Sequence, residues 1–187
     1  MSRTFFTSDL HLCHSKDFLY APRGFTNVIE HNEAIVKNWN SIVGDDDVVY
    51  ILGDLMLNDN ETATKYFNQL RGYKILVRGN HDTEERWNNI YPNLRGVIYQ
   101  ETAIYVSLNG YHFYLSHFPA ITASHESKPL KKKWINLCGH SHIQDKFADW
   151  DKGLIYHCEL DAHDNKPVSV EEIIADIEAR EGKINVK

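Results

Sequence analysis

The sequence predicts a layered α/β fold, and two observations carry that prediction. Short apolar runs rich in Val, Ile, Tyr and Phe recur at 3–8, 47–52, 73–78, 97–106, 111–116, 134–138 and 154–158, bounded by turn residues. Helical patterns separate the early runs, whereas the later runs follow one another directly. The order is therefore β-α-β-α-β-α and then a succession of strands, which implies a partly antiparallel second half.

The first helix is expected over 27–43. Asn27 stands at its start as a cap with Glu30 three residues on, and Ile29, Ala34, Ile35, Trp39 and Ile42 give one apolar stripe. Gly44 and the run Asp45-Asp46-Asp47 stop it. Weaker helical patterns cover 60–70 and 83–91. A last one, 170–180, opens on Ser169-Val170-Glu171-Glu172, a capping-box pattern, and turns Ile173, Ile174 and Ile177 inward. The segment 118–133 is one long polar loop placed after a strand end, a common location for function.

The 187 residues fit one domain spanning 1–187, given ~150 residues per domain. Hydrophobic residues at 42% and charged residues at 25% are the mix of an ordinary soluble protein. A net charge of −6 provides no general cationic field, so neither a stable nucleic-acid complex nor an anionic membrane partner is expected. No apolar run reaches the ~20 residues of a membrane helix. The opening Met1-Ser2-Arg3-Thr4-Phe5-Phe6 does not read as a secretory leader. The three cysteines, Cys13, Cys138 and Cys158, form no C-x-x-C pair, so a reducing, cytoplasmic compartment is expected. Eleven histidines against ten glycines is the one unusual count.

Five of those histidines fall at strand ends. Strand 3–8 runs into Asp9-Leu10-His11, strand 47–52 into Gly53-Asp54, and strand 73–78 into Gly79-Asn80-His81-Asp82. Strand 111–116 ends at His117, and strand 134–138 runs into Gly139-His140-Ser141-His142. In open α/β sheets the carboxyl edge of the strands is where sites form. Each piece alone has an ordinary reading, since Gly-Asp and Gly-Asn are common turn dipeptides and a lone histidine usually packs. The turn reading explains any one of them but not the ordered set.

That set resembles the calcineurin-like metallophosphoesterase superfamily, whose pattern is D-x-H, G-D, G-N-H-[DE], H and G-H-x-H, and no position is missing between residues 9 and 142. The surroundings Phe6-Thr7-Ser8, Trp39-Asn40 and Val77-Arg78 look like its small single-domain members from bacteria and phages. The resemblance implies a two-sheet β-sandwich flanked by helices, with metals at one edge. It implies that Asp9, His11 and His142 hold one metal, that Asn80, His117 and His140 hold the other, and that Asp54 bridges them. Histidine and carboxylate ligands suit two divalent transition-metal ions, with Mn favoured and Fe, Zn or Ni as alternatives. Two ions ~3.5–4 Å apart suit an in-line displacement, and bound water that ionises near pH ~7 supplies hydroxide. His81, left without a metal, is implied to protonate the leaving oxygen. Asp82 either orients that imidazole or caps the following helix.

Beyond the motif, His14, Arg23 and Arg78 are candidates for substrate contact, because guanidinium groups grip phosphate well. Lys128, Lys131, Lys132 and Lys133 form a basic cluster that more often marks a solvated face. The sequence lacks the G-D-x-V-D-R-G extension of protein Ser/Thr phosphatases, which argues against a phosphoprotein substrate. The expected activity is a dinuclear metal phosphoesterase acting on a small phosphorylated substrate, with nucleotide-like phosphodiesters favoured. A phosphomonoesterase, a nuclease and a metal-free interaction module are the alternatives.

Overall fold

The computed structural model describes residues 2–122 and 128–184, so residues 123–127 of the predicted polar loop lie outside it. Two mixed sheets flanked by helices form an α/β fold. The first sheet has the order β4-β3-β2-β1-β9, and the second β5-β6-β7-β8. In chain order the strands are β1 (Thr4–Thr7), β2 (Val48–Leu52), β3 (Tyr73–Val77), β4 (Val97–Glu101), β5 (Ile104–Leu108), β6 (Tyr111–Leu115), β7 (Trp134–Cys138), β8 (Ile155–His157) and β9 (Val168–Ser169). β1 to β4 pair in parallel and β9 joins β1 antiparallel; in the second sheet only β5 runs antiparallel to its neighbour.

Side-chain alternation along the strands divides the core in two. Phe5, Val49, Ile51 and Leu76 face helices α2 (Val28–Ile42) and α3 (Asn60–Phe67), packing with Ile35, Trp39, Ala63 and Phe67. Phe6, Leu52 and Val77 face the other way and meet Phe113, Leu115, Ile135 and Leu137 of the second sheet. Helix α5 (Val170–Ile184) joins this second core through Ile173 and Ile177.

The predicted helix starts form as capping boxes. Asn27 Oδ1 accepts from Glu30 N at 2.9 Å while Glu30 Oε2 accepts from Thr26 N. Before α5 the pair is fully reciprocal, with Glu172 N donating to Ser169 Oγ and Ser169 N to Glu172 Oε2, whereas Glu30 reaches one residue further back, to Thr26. The run 97–106 departs from expectation. It breaks at Thr102-Ala103 into β4 and β5, which belong to different sheets, so one apolar run links the two layers. The 83–91 pattern closes as a π-helical turn, Arg86–Ile90. Two single-turn helices were not visible in the periodicity: α1 (Asp17–Tyr20) and α4 (Trp150–Gly153). No helix among the described residues is long and apolar enough to cross a membrane.

Candidate metal centre

The carboxyl ends of β1, β2, β3, β6 and β7 meet at one edge, and each releases its polar residues there. The turns after them are tight. Asp9, His11, Asp54, His140 and His142 all take positive φ, at 58°, 47°, 56°, 76° and 51°. For non-glycine residues this backbone costs on the order of 1–3 kcal/mol each and clusters at functional sites. Two glycines allow the turns to touch: a Cβ at Gly139 would collide with Ser8 Oγ and Asp9 Oδ2, and one at Gly79 with the Asp54 side chain.

Each carboxylate is anchored by one oxygen and aimed by the other. His140 N donates to Asp9 Oδ2 at 2.8 Å, and His81 N donates to Asp54 Oδ1 at 2.9 Å. The opposite oxygens face the cluster: Asp9 Oδ1 lies 3.5 Å from His11 Nε2 and 3.6 Å from His142 Nε2. Asp54 Oδ2 lies 3.6 Å from His11 Nε2 and 3.5 Å from His117 Nε2. On the far side of Asp54, Asn80 Oδ1 is 2.8 Å from His117 Nε2 and 2.9 Å from His140 Nδ1.

The imidazoles are oriented from behind. His117 Nδ1 donates to Leu52 O at 2.8 Å, which leaves the Nε2 of a neutral ring as a lone pair pointing at Asn80 Oδ1 and Asp54 Oδ2. His142 Nδ1 donates to Asp161 Oδ2 at 3.1 Å, which turns its Nε2 toward Asp9 Oδ1 and to within 3.1 Å of His11 Nε2. Lone pairs thus converge from several sides, and Asp9 Oδ1 is buried with no hydrogen-bond donor. Such an array repels itself unless a cation sits among it, so the side chains fit a metal. Two groups have ligand atoms within 4.8 Å of one another: Asp9, His11 and His142; and Asp9, Asp54 and His117. Burial pushes the Asp54 carboxyl up to about 6 and the His11 imidazole down to about 4, as expected for charge-bearing groups removed from water. Burial also pushes Asp9 upward, but the close approach of the His11 imidazole, with those of His142 and His117 behind it, outweighs this and holds Asp9 below the usual carboxylate range.

Comparison with known proteins identifies the family. A family model described as calcineurin-like phosphoesterase matches residues 2–176. The chain belongs to the calcineurin-like phosphoesterase family. An uncharacterized protein of Methanocaldococcus jannaschii is 31% identical over 191 residues, covering 98% of this chain and 95% of that one. The Gene 66 protein of Mycobacterium phage L5 is 32% identical over 165 residues, 76% of this chain and 78% of that protein. Among solved structures, a protein of unknown function from Aquifex aeolicus shares the fold with a TM-score of 0.71 at 23% identity, covering 94% of this chain and 99% of that one.

In this calcineurin-like phosphoesterase a cleft of about 430 Å³ opens over the cluster, and His11, His14, Asp54, Asn80, His81, His140 and His142 contribute to its walls. His14 sits 5.3 Å ring to ring from His11. His81 is 44% exposed, with Nε2 3.9 Å from Asp54 Oδ2. Three residues singled out in the sequence do not reach the cleft. Asp82 makes no hydrogen bond to the His81 imidazole. It is buried, and its two oxygens accept from the backbone N–H groups of Asp54, Leu55 and Gly79 and from Tyr91 Oη. Arg78 donates to Asp82 O, pairs with Glu84 at 2.9 Å and stacks on Trp87.

Arg23 is buried beneath the cluster. Its Nη2 donates to Asp9 O at 2.9 Å and to Asp161 Oδ2 at 2.6 Å, its Nε donates to Asp161 Oδ1 at 3.1 Å, and its Nη1 meets His31 Nε2 at 3.0 Å. Asp161 carries no motif and was not visible in the sequence. Burial alone would raise its pKa, yet hydrogen bonds from His142 and Arg23 hold it well below the usual carboxylate range. A histidine whose rear nitrogen meets a carboxylate is the arrangement that fixes tautomer and orientation in metal sites.

Proposed function

We propose that this phosphoesterase is a dinuclear metal phosphodiesterase acting on small, nucleotide-like diesters. The observation that carries the reading is the convergence of lone pairs on both sides of Asp54, with the His81 imidazole standing beside it. Asp9, His11 and His142 form one ligand group, Asn80, His117 and His140 the other, and Asp54 belongs to both. The family is metal-dependent, and we assign two divalent transition-metal ions, with Mn the working choice. When bound, such ions supply Lewis acidity and bring water close to ionisation at neutral pH.

The chain's own residues supply the rest. His81, half-exposed in the cleft wall, holds the proton that passes to the departing ester oxygen, a contribution typically worth ~10²–10⁴-fold. Its backbone N–H already holds Asp54 Oδ1, so the acid and the bridging carboxylate are positioned together. Among the described residues the cleft walls contain no Lys or Arg, and this favours the single charge of a diester over the greater charge of a monoester.

The test is hydrolysis of bis-p-nitrophenyl phosphate against p-nitrophenyl phosphate with Mn²⁺ for the substrate class, and of a dinucleoside phosphate, whose alkoxide leaving group needs a proton, for wild type and His81→Ala. Diester preference in wild type, with a loss of about 100-fold or more on the dinucleoside phosphate in the variant, is expected. Preference for the monoester would move the substrate class to phosphomonoesters. Retention of full activity on the dinucleoside phosphate by His81→Ala would remove His81 from its role.

A further inference from the structure

Two exposed phenyl rings stand beside the ligand cluster, one against His14 and one against His117 and His140. Phe18 lies on α1 at the cleft wall, 69% exposed, while the next residue, Leu19, is buried. Its ring meets His14 edge-on at 5.5 Å, and His14 in turn lies 5.3 Å from His11. Phe118, 51% exposed, packs at 4.7 Å from the His140 ring and 5.1 Å from that of His117. Each phenyl therefore stands within one or two rings of a different ligand group.

Single exposed apolar side chains are ordinary, but Phe18 lines the cleft and Phe118 packs on His140, one of the cleft-wall rings. The Phe118 position is also built rather than loose. Ser116 Oγ donates to Phe118 O at 2.8 Å, and buried Asn136 ties this turn down by donating to Ser116 Oγ and accepting from Ala120 N. Leu19 and Pro22 continue the apolar wall from Phe18, and among the described residues no Lys or Arg interrupts it.

We infer that Phe18 and Phe118 form an aromatic rim that selects phosphodiesters bearing planar ester groups, nucleobases or aryl rings, over diesters of small alkyl groups. The inference rests on the phosphodiesterase reading and adds the class of ester group. The phosphate belongs over Asp54, and the ester groups of a diester there extend toward the walls. A flat π-face is what a phenyl side chain recognises, with little dependence on which base carries it.

The experiment compares two diesters with the same leaving group, bis-p-nitrophenyl phosphate and methyl p-nitrophenyl phosphate, with Mn²⁺, in wild type, Phe18→Ala and Phe118→Ala. The alanine variants are expected to lose about fivefold or more in kcat/KM on the bis-aryl ester. The loss should fall mainly in KM, with the methyl ester nearly unchanged. Both rings are exposed, so thermal melts should match wild type, and Phe18→Tyr should retain the preference. An equal loss on both esters, or no loss on either, overturns the rim while leaving the phosphodiesterase reading intact.

If wild type turns over neither diester, the phosphodiesterase reading fails. The rim is then decided by calorimetric binding of thymidine 5′-monophosphate against 2-deoxyribose 5-phosphate. Tighter binding of the nucleotide that disappears in Phe18→Ala supports the rim, and equal binding of the two ligands overturns it.

Discussion

Two buried carboxylates, Asp82 and Asp161, support the metal centre in different ways. Asp82 grips backbone: it gathers the N–H groups of Asp54, Leu55 and Gly79, locking the turns after β2 and β3 together, and Tyr91 Oη completes its shell. Asp161 grips side chains: it accepts from Arg23 and from His142 Nδ1 and never touches the backbone of the ligand turns. The first makes the floor of the site a property of the fold. The second leaves one ligand dependent on a single oriented ring, at the more open end, where the His142 side chain is 33% exposed.

That contrast can be broken. Asp82→Ala would leave three backbone donors and a phenol unpaired at a position only 2% exposed. A loss of about 3–5 kcal/mol in urea unfolding is expected, and a loss below about 1 kcal/mol would show that Asp82 is not the clamp described. Asp161→Ala should also lower urea stability, because it strands the buried Arg23 guanidinium, and should in addition weaken metal binding by about 10–100-fold, read by competition with a chelator. Asp161→Asn, whose Oδ1 can still accept from His142, should recover part of that affinity. A variant pair that lost stability equally and metal affinity equally would erase the distinction.

The smallest expected effect sharpens the comparison from the cation side. Arg23 and Lys74 are both buried, but Arg23 meets Asp161, whereas Lys74 Nζ donates to the carbonyls of Leu70 and Arg95 and lies over the Phe67 ring. Burial pushes the Lys74 amine down to about 8 from its ordinary 10.5, with Arg95 adding to the shift. The folded chain therefore releases this proton before the unfolded chain does. Below about pH 8 the cost of burying the charge is present in full, and stability rises as pH climbs from about 8 toward 10.5. Urea midpoints across that window should rise for wild type and stay flatter for Lys74→Met. Parallel slopes would show that the Lys74 amine is already relieved of its burial cost.

The same two carboxylates mark the limit of what a sequence discloses. Asp82 was conspicuous because it closes Gly-Asn-His-Asp, yet its place in the chain suggested either His81 or the start of the next helix as its partner, whereas two of its real partners, Asp54 and Leu55, come from another strand end. Asp161 sits in Glu-Leu-Asp-Ala, where nothing periodic or motif-like marks it, and only the packing of the segment after β8 brings it behind His142. The helix starts at Asn27 and Ser169 were legible because a capping box is local. The break at Thr102-Ala103 was not, because an apolar run looks the same whether it stays in one sheet or crosses to the next. Arg23 was legible as a cation but not as a buried one, since burial is decided by the distant Asp161.

One pairing in the first sheet has a consequence for how the protein comes into being on the ribosome. Every side chain assigned here to hold metal has been synthesised by His142, but β1 receives its second neighbour only when Val168 and Ser169 arrive, through Phe5↔Ser169 and Phe6↔Val168. Asp161 lies in the stretch just before that pairing. A nascent chain thus carries a full set of ligands for some time before the strand beside Asp9 is fenced in and His142 is braced. The strand beside Asp9 and the brace behind His142 are therefore the last parts of the site to be made, closed by a contact between two of the most distant parts of the polypeptide.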